Sequence, residues 1–418
     1  MKDKQLFEKA YSRLLELYGR EYDRPHIAVL SRFYSEKAIL SGSKLYMRYL
    51  DLLSRVRKAA AQKGEHIFVR GTTGASFIAY LLGATDINPL PRHVYCPQCH
   101  TALFLGKEKV FEKASVKCSC KAELLIDGQD IPFESNLKAV LSRKIQLCVS
   151  HAFFDEAKAM ISDELWDKTT VTLSGEELSS VWFCVLDKET HNSGSYALNG
   201  NREIFSAFPR ITLVPNRTLD KYRELEKATG FKMKEIGAAE KDLAFSHFME
   251  CDIKDIPHFD NDFVKGIWNI IKPQSYDDLL KIIGFAHSTN LWKNNAERLF
   301  EEDRLSLEDL PAFREELYEM INEKLIRNGI YDNGLAYEVA DKSTRGHYAK
   351  SGGVDGDTES ALLDLGFSVD FVGFLSEINY MFTKALGIAY LREAVVMMFY
   401  KTKFNKEYSE IILEKDPC

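Results

Sequence analysis

Two constellations in this 418-residue chain could do chemistry. The first is Arg70-Gly71-Thr72-Thr73-Gly74-Ala75-Ser76, between a short apolar run (Ile67 to Val69) and an apolar helical run from Phe77 to Leu82. A strand, a glycine turn and a helix start in that order make an anion cradle. Glycines let the backbone approach a ligand closely, and the hydroxyls of Thr72, Thr73 and Ser76 join the helix's first N–H groups in facing it. The helix dipole favours negative charge there, and Arg70 adds a planar cationic fork. A tight turn with a Ser/Thr N-cap is the competing reading. The second constellation is Cys96-x-x-Cys99 with Cys118-x-Cys120. Two thiolate pairs separated by a short hairpin suit one tetrahedral Zn²⁺, which replaces the core that so small a knob cannot build. The second pair is one residue tighter than the first, so His93 or His100 stands as a substitute ligand. A Cys₄ site leaves no open position for water and is structural rather than catalytic.

The elements that would position these groups follow from periodicity. Residues 2 to 19 and roughly 27 to 62 place apolar side chains at helical spacing, and Arg143 to Ser150 alternates as a strand, with Ile145, Leu147 and Val149 on one face and Lys144, Gln146 and Cys148 on the other. Ser180 to Leu186 and Ile211 to Val214 also read as strands, with a polar, glycine-rich loop between them. From Thr218 onward the pattern is almost wholly helical, with Ser275 as an N-cap ahead of Tyr276. Hydrophobic residues make up 45% of the chain, enough to bury a sizeable core, and a net charge of −7 argues against broad adhesion to nucleic acid while leaving room for a local basic groove. Eight cysteines are too few for a disulfide scaffold in a chain this long. The start reads as a charged amphipathic helix rather than a signal peptide, and no run is apolar enough to span a bilayer, so a soluble cytoplasmic protein without membrane partners is expected.

The succession of Arg70 to Ser76, Thr85-Asp86-Ile87-Asn88-Pro89-Leu90-Pro91, Tyr95-Cys96-Pro97-Gln98-Cys99 and Asp127-Gly128-Gln129-Asp130-Ile131-Pro132-Phe133-Glu134 resembles, in order, the palm of the PolC-type alpha subunit of bacterial DNA polymerase III. The resemblance implies an α/β palm-like domain of the nucleotidyltransferase type over residues 1–217, with a zinc-binding insertion at 93–121, and an all-helical fingers-like domain over 218–418. It also implies that Arg70 to Ser76 corresponds to the loop that holds the triphosphate of an incoming nucleotide. Gly284 to Ala296 resembles the fingers motif Gly-Leu-Ser-His-Gly-Thr-Asp-Val-Trp-x-x-Asn-Ala, which makes His287, Thr289 and Asn295 candidate nucleotide contacts. The alternative is that Leu291 and Trp292 simply anchor a turn. Tyr380 to Tyr390 resembles a second motif and adds Lys384. Lys342, Arg345 and Lys350, in a basic stretch read as a mobile glycine-flanked loop, are candidate DNA-backbone contacts.

One departure is decisive for the expected function. The strand that in the family reads Asp-Ile-Asp-Leu-Asn-Phe-Ser carries alternating aspartates for two Mg²⁺ ions, and here the matching positions are Lys144 and Gln146. Counting back from Thr229-Gly230, the third family aspartate falls on Thr212. A two-metal mechanism needs those carboxylates. The expectation is therefore a catalytically degenerate protein that binds nucleotide, DNA or replication proteins without polymerising, with structural zinc and without Mg²⁺. An active nucleotidyltransferase with relocated carboxylates (Asp155, Glu156, Asp187 or Glu189) and a purely structural interaction module are the alternatives.

Overall fold

The computed structural model describes residues 3–19, 25–104, 117–138, 144–165, 170–173, 181–185, 210–236, 238–250 and 253–413. The chain divides into two compact units, Met1–Gly230 and Phe231–Cys418.

The first unit opens with helices α1 (Asp3–Tyr18), α2 (Ile27–Leu40) and α3 (Lys44–Gln62). The stripe Tyr46, Tyr49, Leu50, Leu53, Val56 and Ala60 of α3 is wholly buried, which is why this stretch is a helix with one committed face. Then come β1 (Ile67–Arg70), a 3₁₀ turn (Thr72–Ala75), the short α4 (Phe77–Leu81), β2 (His93–Cys96), β3 (Thr101–Phe104) and β4 (Leu125–Asp127). After these follow β5 (Lys144–Val149), α5 (His151–Leu165), β6 (Thr170–Leu173), β7 (Val181–Val185), β8 (Arg210–Pro215) and α6 (Arg217–Thr229). Five strands form one mixed sheet in the order β1-β5-β8-β7-β6, in which only β5 and β8 run parallel. Ile67, Val69, Ile145, Leu147, Ile211 and Leu213 line its inner face, in one core with the stripe of α3 and with Phe153, Ala157 and Ile161 of α5. Strands β3-β2-β4 make a separate small sheet.

Helix α6, which the helical pattern assigns to the second domain, lies in the first unit. It is tied there by Arg223 to Glu65 (2.5 Å) and Glu226 to His66 (3.0 Å), and Tyr222 packs edge-on to Phe68. Strand β6 and helix α5 escaped the sequence reading. The Thr-Val-Thr-Leu run of β6 has β-branched residues and alternates, but four residues are too short a run to read as a strand. The polar stretch read as a loop, 186–203, lies outside the described residues.

In the second unit every described element is helical, apart from one isolated bridge between Phe313 and Phe382. The elements used below are α7 (Ala238–Met249), α8 (Asp262–Ile271), α9 (Tyr276–Ala286), α10 (Arg314–Arg327), α11 (Gly334–Thr344), α12 (His347–Ser351), α13 (Gly356–Asp364), α14 (Val369–Ser376) and α15 (Lys384–Lys403). Ser275 caps α9 as its sequence predicts, in a reciprocal box with Asp278. Buried around most of its circumference, α15 packs against α7, α9 and α10. Among the described residues no helix is long and apolar enough to cross a membrane.

Candidate functional site

Gly71 sits at φ 89°, ψ −153°, a conformation that only glycine adopts without strain, and it turns β1 into the 3₁₀ stretch. Ser76 then caps α4, accepting from the amide of Ala79 at 3.1 Å. The expected anion cradle is already filled from within. The carboxylate of Glu36 accepts from the amides of Phe77 (2.8 Å) and Ile78 (3.1 Å) and from the Ser76 hydroxyl (2.8 Å). Glu36 is fully buried, and Arg32 one turn earlier meets it at 2.5 Å while donating to the carbonyls of Ala75 and Ile131. The reading of Ser76 and the first helix amides as ligand donors is therefore corrected. Those donors are buried, each needs an acceptor, and α2 supplies one. Thr73 and Gly74 are buried as well, which leaves Arg70, Gly71 and Thr72 as the half-exposed part of the turn.

Glu36 was missed, though a signal existed. It occupies the apolar stripe Val29, Phe33, Glu36, Leu40 of α2, where an acidic residue has no place unless it is paired.

The sheet aligns the remaining candidates. Arg70 pairs with Gln146, and Gln146 with Thr212, so the three lie in one row across β1, β5 and β8. Lys144 pairs with Arg210 one step along the same face. Alternation fixes the side, because the intervening Ile145, Leu147, Ile211 and Leu213 are buried inward. Burial, and then the neighbouring Arg210, hold the Lys144 ammonium below its usual range. Arg210 is a second residue that sequence reading passed over, since it only opens the strand that carries Thr212. Of the relocated-carboxylate candidates, Glu156 is ion-paired with Lys63, and Asp187 and Glu189 lie outside the described residues.

The four cysteines converge, with all four sulfurs within 4.8 Å of one another. Sγ of Cys96 lies 3.6 Å from that of Cys120, and Sγ of Cys99 lies 3.8 Å from that of Cys118. A tetrahedron of thiolates about 2.3 Å from a metal has edges of about 3.8 Å, so the cluster could hold one metal ion. Cys118-Ser119-Cys120 reaches as well as the wider pair, and no histidine need substitute. His93 is buried, with its ring nitrogens beside the carbonyl of Pro91 (2.8 Å) and the hydroxyl of Tyr18 (3.4 Å), and burial lowers its pKa. His100 stands near the Tyr95 hydroxyl. The small sheet is tied down by the remaining motif residues. Asn88 donates to Asp127 (2.6 Å), Asp130 accepts from the amide of Arg92 (2.6 Å), and the amides of Gln129 and Asp130 donate to the carbonyl of Leu90.

In the second unit, His287 is stacked on Phe382 with its ring near Tyr390, and its Nδ1 faces the carbonyl of Ile283 at 2.8 Å. Thr289 is exposed at a short helical turn. Asn295 is buried and donates to the carbonyl of Phe374, and Leu291 and Trp292 beside it are buried. Lys384 is buried at the start of α15, where its amide donates to Glu315.

The basic stretch at 342–350 is helical, not a loop. Lys342 belongs to α11 and meets Glu338 (2.7 Å) and Asp355 (3.3 Å), and Arg345 meets Asp341 (3.1 Å). Lys350 of α12 donates to the carbonyl of Arg345. Gly346 between the helices has φ 61°, and a Cβ there would come within 2.2 Å of the carbonyl oxygen of Asn379. That close approach, rather than freedom of movement, explains the glycine.

The first unit is thus an α/β domain with a glycine turn at the edge strand of its mixed sheet, and the described elements of the second are helical. Residues 4–268 match the family described as bacterial DNA polymerase III alpha NTPase domain, and residues 216–325 match the bacterial DNA polymerase III alpha subunit finger domain. The chain belongs to the bacterial DNA polymerase III alpha family. Among its relatives are the PolC-type DNA polymerases III of Staphylococcus saprophyticus (24% identical over 97% of this chain and 32% of the relative), Listeria monocytogenes (24%, over 94% and 32%) and Thermotoga petrophila (23%, over 95% and 34%). The chain thus spans about a third of the length of these relatives.

Proposed function

We propose that this chain is a member of the DNA polymerase III alpha family that does not polymerise, and that it retains the palm scaffold to bind nucleotide or nucleic acid. One observation carries the reading. Lys144 and Gln146 of β5 pair with Arg210 and Thr212 of β8, and none of the four is a carboxylate. Primer extension by two divalent ions needs oxygen ligands that grip both ions and lower the barrier for the attacking hydroxyl. An ammonium and a guanidinium there repel a divalent cation instead.

The cysteine centre is read as a structural zinc site, because four thiolates at tetrahedral edge lengths leave no position for substrate. A cytoplasmic setting and replication proteins as partners fit the family, and DNA or a nucleoside triphosphate is the ligand class. The test is primer extension on a primed template with Mg²⁺ and with Mn²⁺. No product is expected. Template-dependent extension abolished by Arg70→Ala would overturn the reading.

A second reading, a structural interaction module, draws support from Glu36. With an internal carboxylate in the seat at the α4 N-terminus, the glycine turn is required by the fold whether or not a ligand binds. A module of this kind would bind neither nucleotide nor DNA in a titration.

A further inference from the structure

Helices α1 and α2 run antiparallel. Tyr11 meets Phe33 (ring centroids 5.4 Å apart) and Tyr34 (6.4 Å), whereas Phe7, a turn earlier in α1, meets Lys37, a turn later in α2. Between them opens a cavity of about 540 Å³ whose lining includes Lys4, Phe7, Tyr11, Phe33, Tyr34 and Lys37. A volume of that order suits a compact guest. Phe7 and Phe33 are buried while Tyr34 is 52% exposed, so apolar depth lies beneath an open aromatic rim. The rings are mutually tilted, by 53° between Tyr11 and Phe33, 44° between Tyr11 and Tyr34 and 82° between Phe33 and Tyr34. Tilted rings make a cup that takes an aromatic side chain edge to face, and they leave no parallel slot for a flat base.

The charges point the same way. Lys4 is met by Glu8 at 3.9 Å, whereas Lys37 stands 5.8 Å from the centre of the Phe7 ring, with no carboxylate in ion-pair reach among the described residues. One such ammonium beside an apolar cup matches one carboxylate beside one aromatic anchor. A nucleic-acid strand is instead tracked by several cations in line. Leu15 (40% exposed) and Ile27 (72%) share the helix faces of Tyr11 and Tyr34 and extend the apolar strip beyond the cup. We propose that the α1–α2 groove docks a short acidic segment of a partner protein, with an aromatic side chain seated among Phe7, Tyr11, Phe33 and Tyr34 and a neighbouring carboxylate on Lys37. Burial of the anchor supplies affinity, and Lys37 selects for an acidic partner. The inference goes beyond the non-polymerising reading and does not depend on it, since no residue of the five-stranded sheet lines the groove.

The experiment titrates the full chain into a fluorescently labelled peptide, a central phenylalanine flanked by aspartates, and follows anisotropy. Tyr34→Ala, Lys37→Gln and Lys37→Glu are measured in parallel, and the thermal unfolding of each variant is recorded to verify its fold. Saturable binding is expected, weakened about tenfold by Tyr34→Ala and by a similar factor when alanine replaces the peptide's phenylalanine. Lys37→Gln should weaken binding about threefold at low salt and remove most of its salt dependence. Lys37→Glu should invert the preference, so that a peptide with lysines in place of the aspartates binds it more tightly than the acidic one does. No binding of the acidic peptide, binding unchanged in folded Tyr34→Ala and Lys37→Glu, or oligo(dT) held more tightly than the peptide and released by Tyr34→Ala overturns the proposal. Primer extension reports on the sheet and this titration on the groove, so either reading can fail while the other stands.

Discussion

Glu36 shows how a residue can be silent in sequence yet central to a turn. Its carboxylate satisfies two helix amides and a hydroxyl, and Arg32 neutralises it, all out of water. Removing one partner strands the others, so Glu36→Ala should lower unfolding free energy by about 3–5 kcal/mol in a denaturant titration. A loss below about 1 kcal/mol would mean that the seat is not closed as described. Lys144 acts in the opposite sense. Its folded-state pKa lies below the ordinary lysine value, so between the two the unfolded chain binds more protons and stability rises with pH. In the ligand-free protein, Lys144→Gln should flatten that rise just below the usual lysine range near ~10.4, as followed by urea midpoints against pH. At this scale the sequence disclosed the residue types facing outward from β5, because alternation is a one-strand property. It concealed Arg210 and Glu36, because their roles depend on neighbours distant along the chain.

Elements were legible where the pattern was strong and illegible where polar residues do structural work. The apolar stripe of α3, the alternation of β5 and the capping box of α9 were all readable. The basic stretch at 342–350 misled, because lysines and glycines suggest a loop, whereas Glu338, Asp341 and Asp355 neutralise its charges within helices. Asp355 caps α13, and the amide of Thr358 foremost, with help from Lys342, holds its carboxyl down to about 2. A depressed carboxylate stabilises above its unfolded pKa of about 3.9 and ceases to do so as pH falls through 2. Asp355→Ala should therefore cost about 1 kcal/mol at neutral pH and progressively less below about pH 4, which thermal melts across that range would register. The cysteine cluster was legible from spacing alone. The purified protein should contain about one zinc per chain, and Cys96→Ser should lose it. Elemental analysis that finds no metal in the wild type would remove the centre.

At the scale of the molecule, the chain matches the NTPase-domain family over residues 4–268 and the finger-domain family over 216–325, and it spans about a third of the length of its relatives. The order of the motifs along the chain made the family readable, since four weak matches in sequence constrain more than any one. The division at Gly230 was not readable, because a helix pattern does not say which core a helix will join, and α6 joins the sheet through Arg223, Tyr222 and Glu226. The position of the small sheet between β1 and β5 also bears on how the chain finds its fold. Arg70 must meet Gln146 across a long excursion, and inside that excursion His93 already pairs with Asp127. A metal that fastens the four cysteines early would take about a third off the loop left to close. That lowers the entropic barrier by about 0.3 kcal/mol, or about twofold in rate. Refolding followed by stopped flow should then be faster with zinc present than with a chelator, even under conditions where both forms reach the same final state.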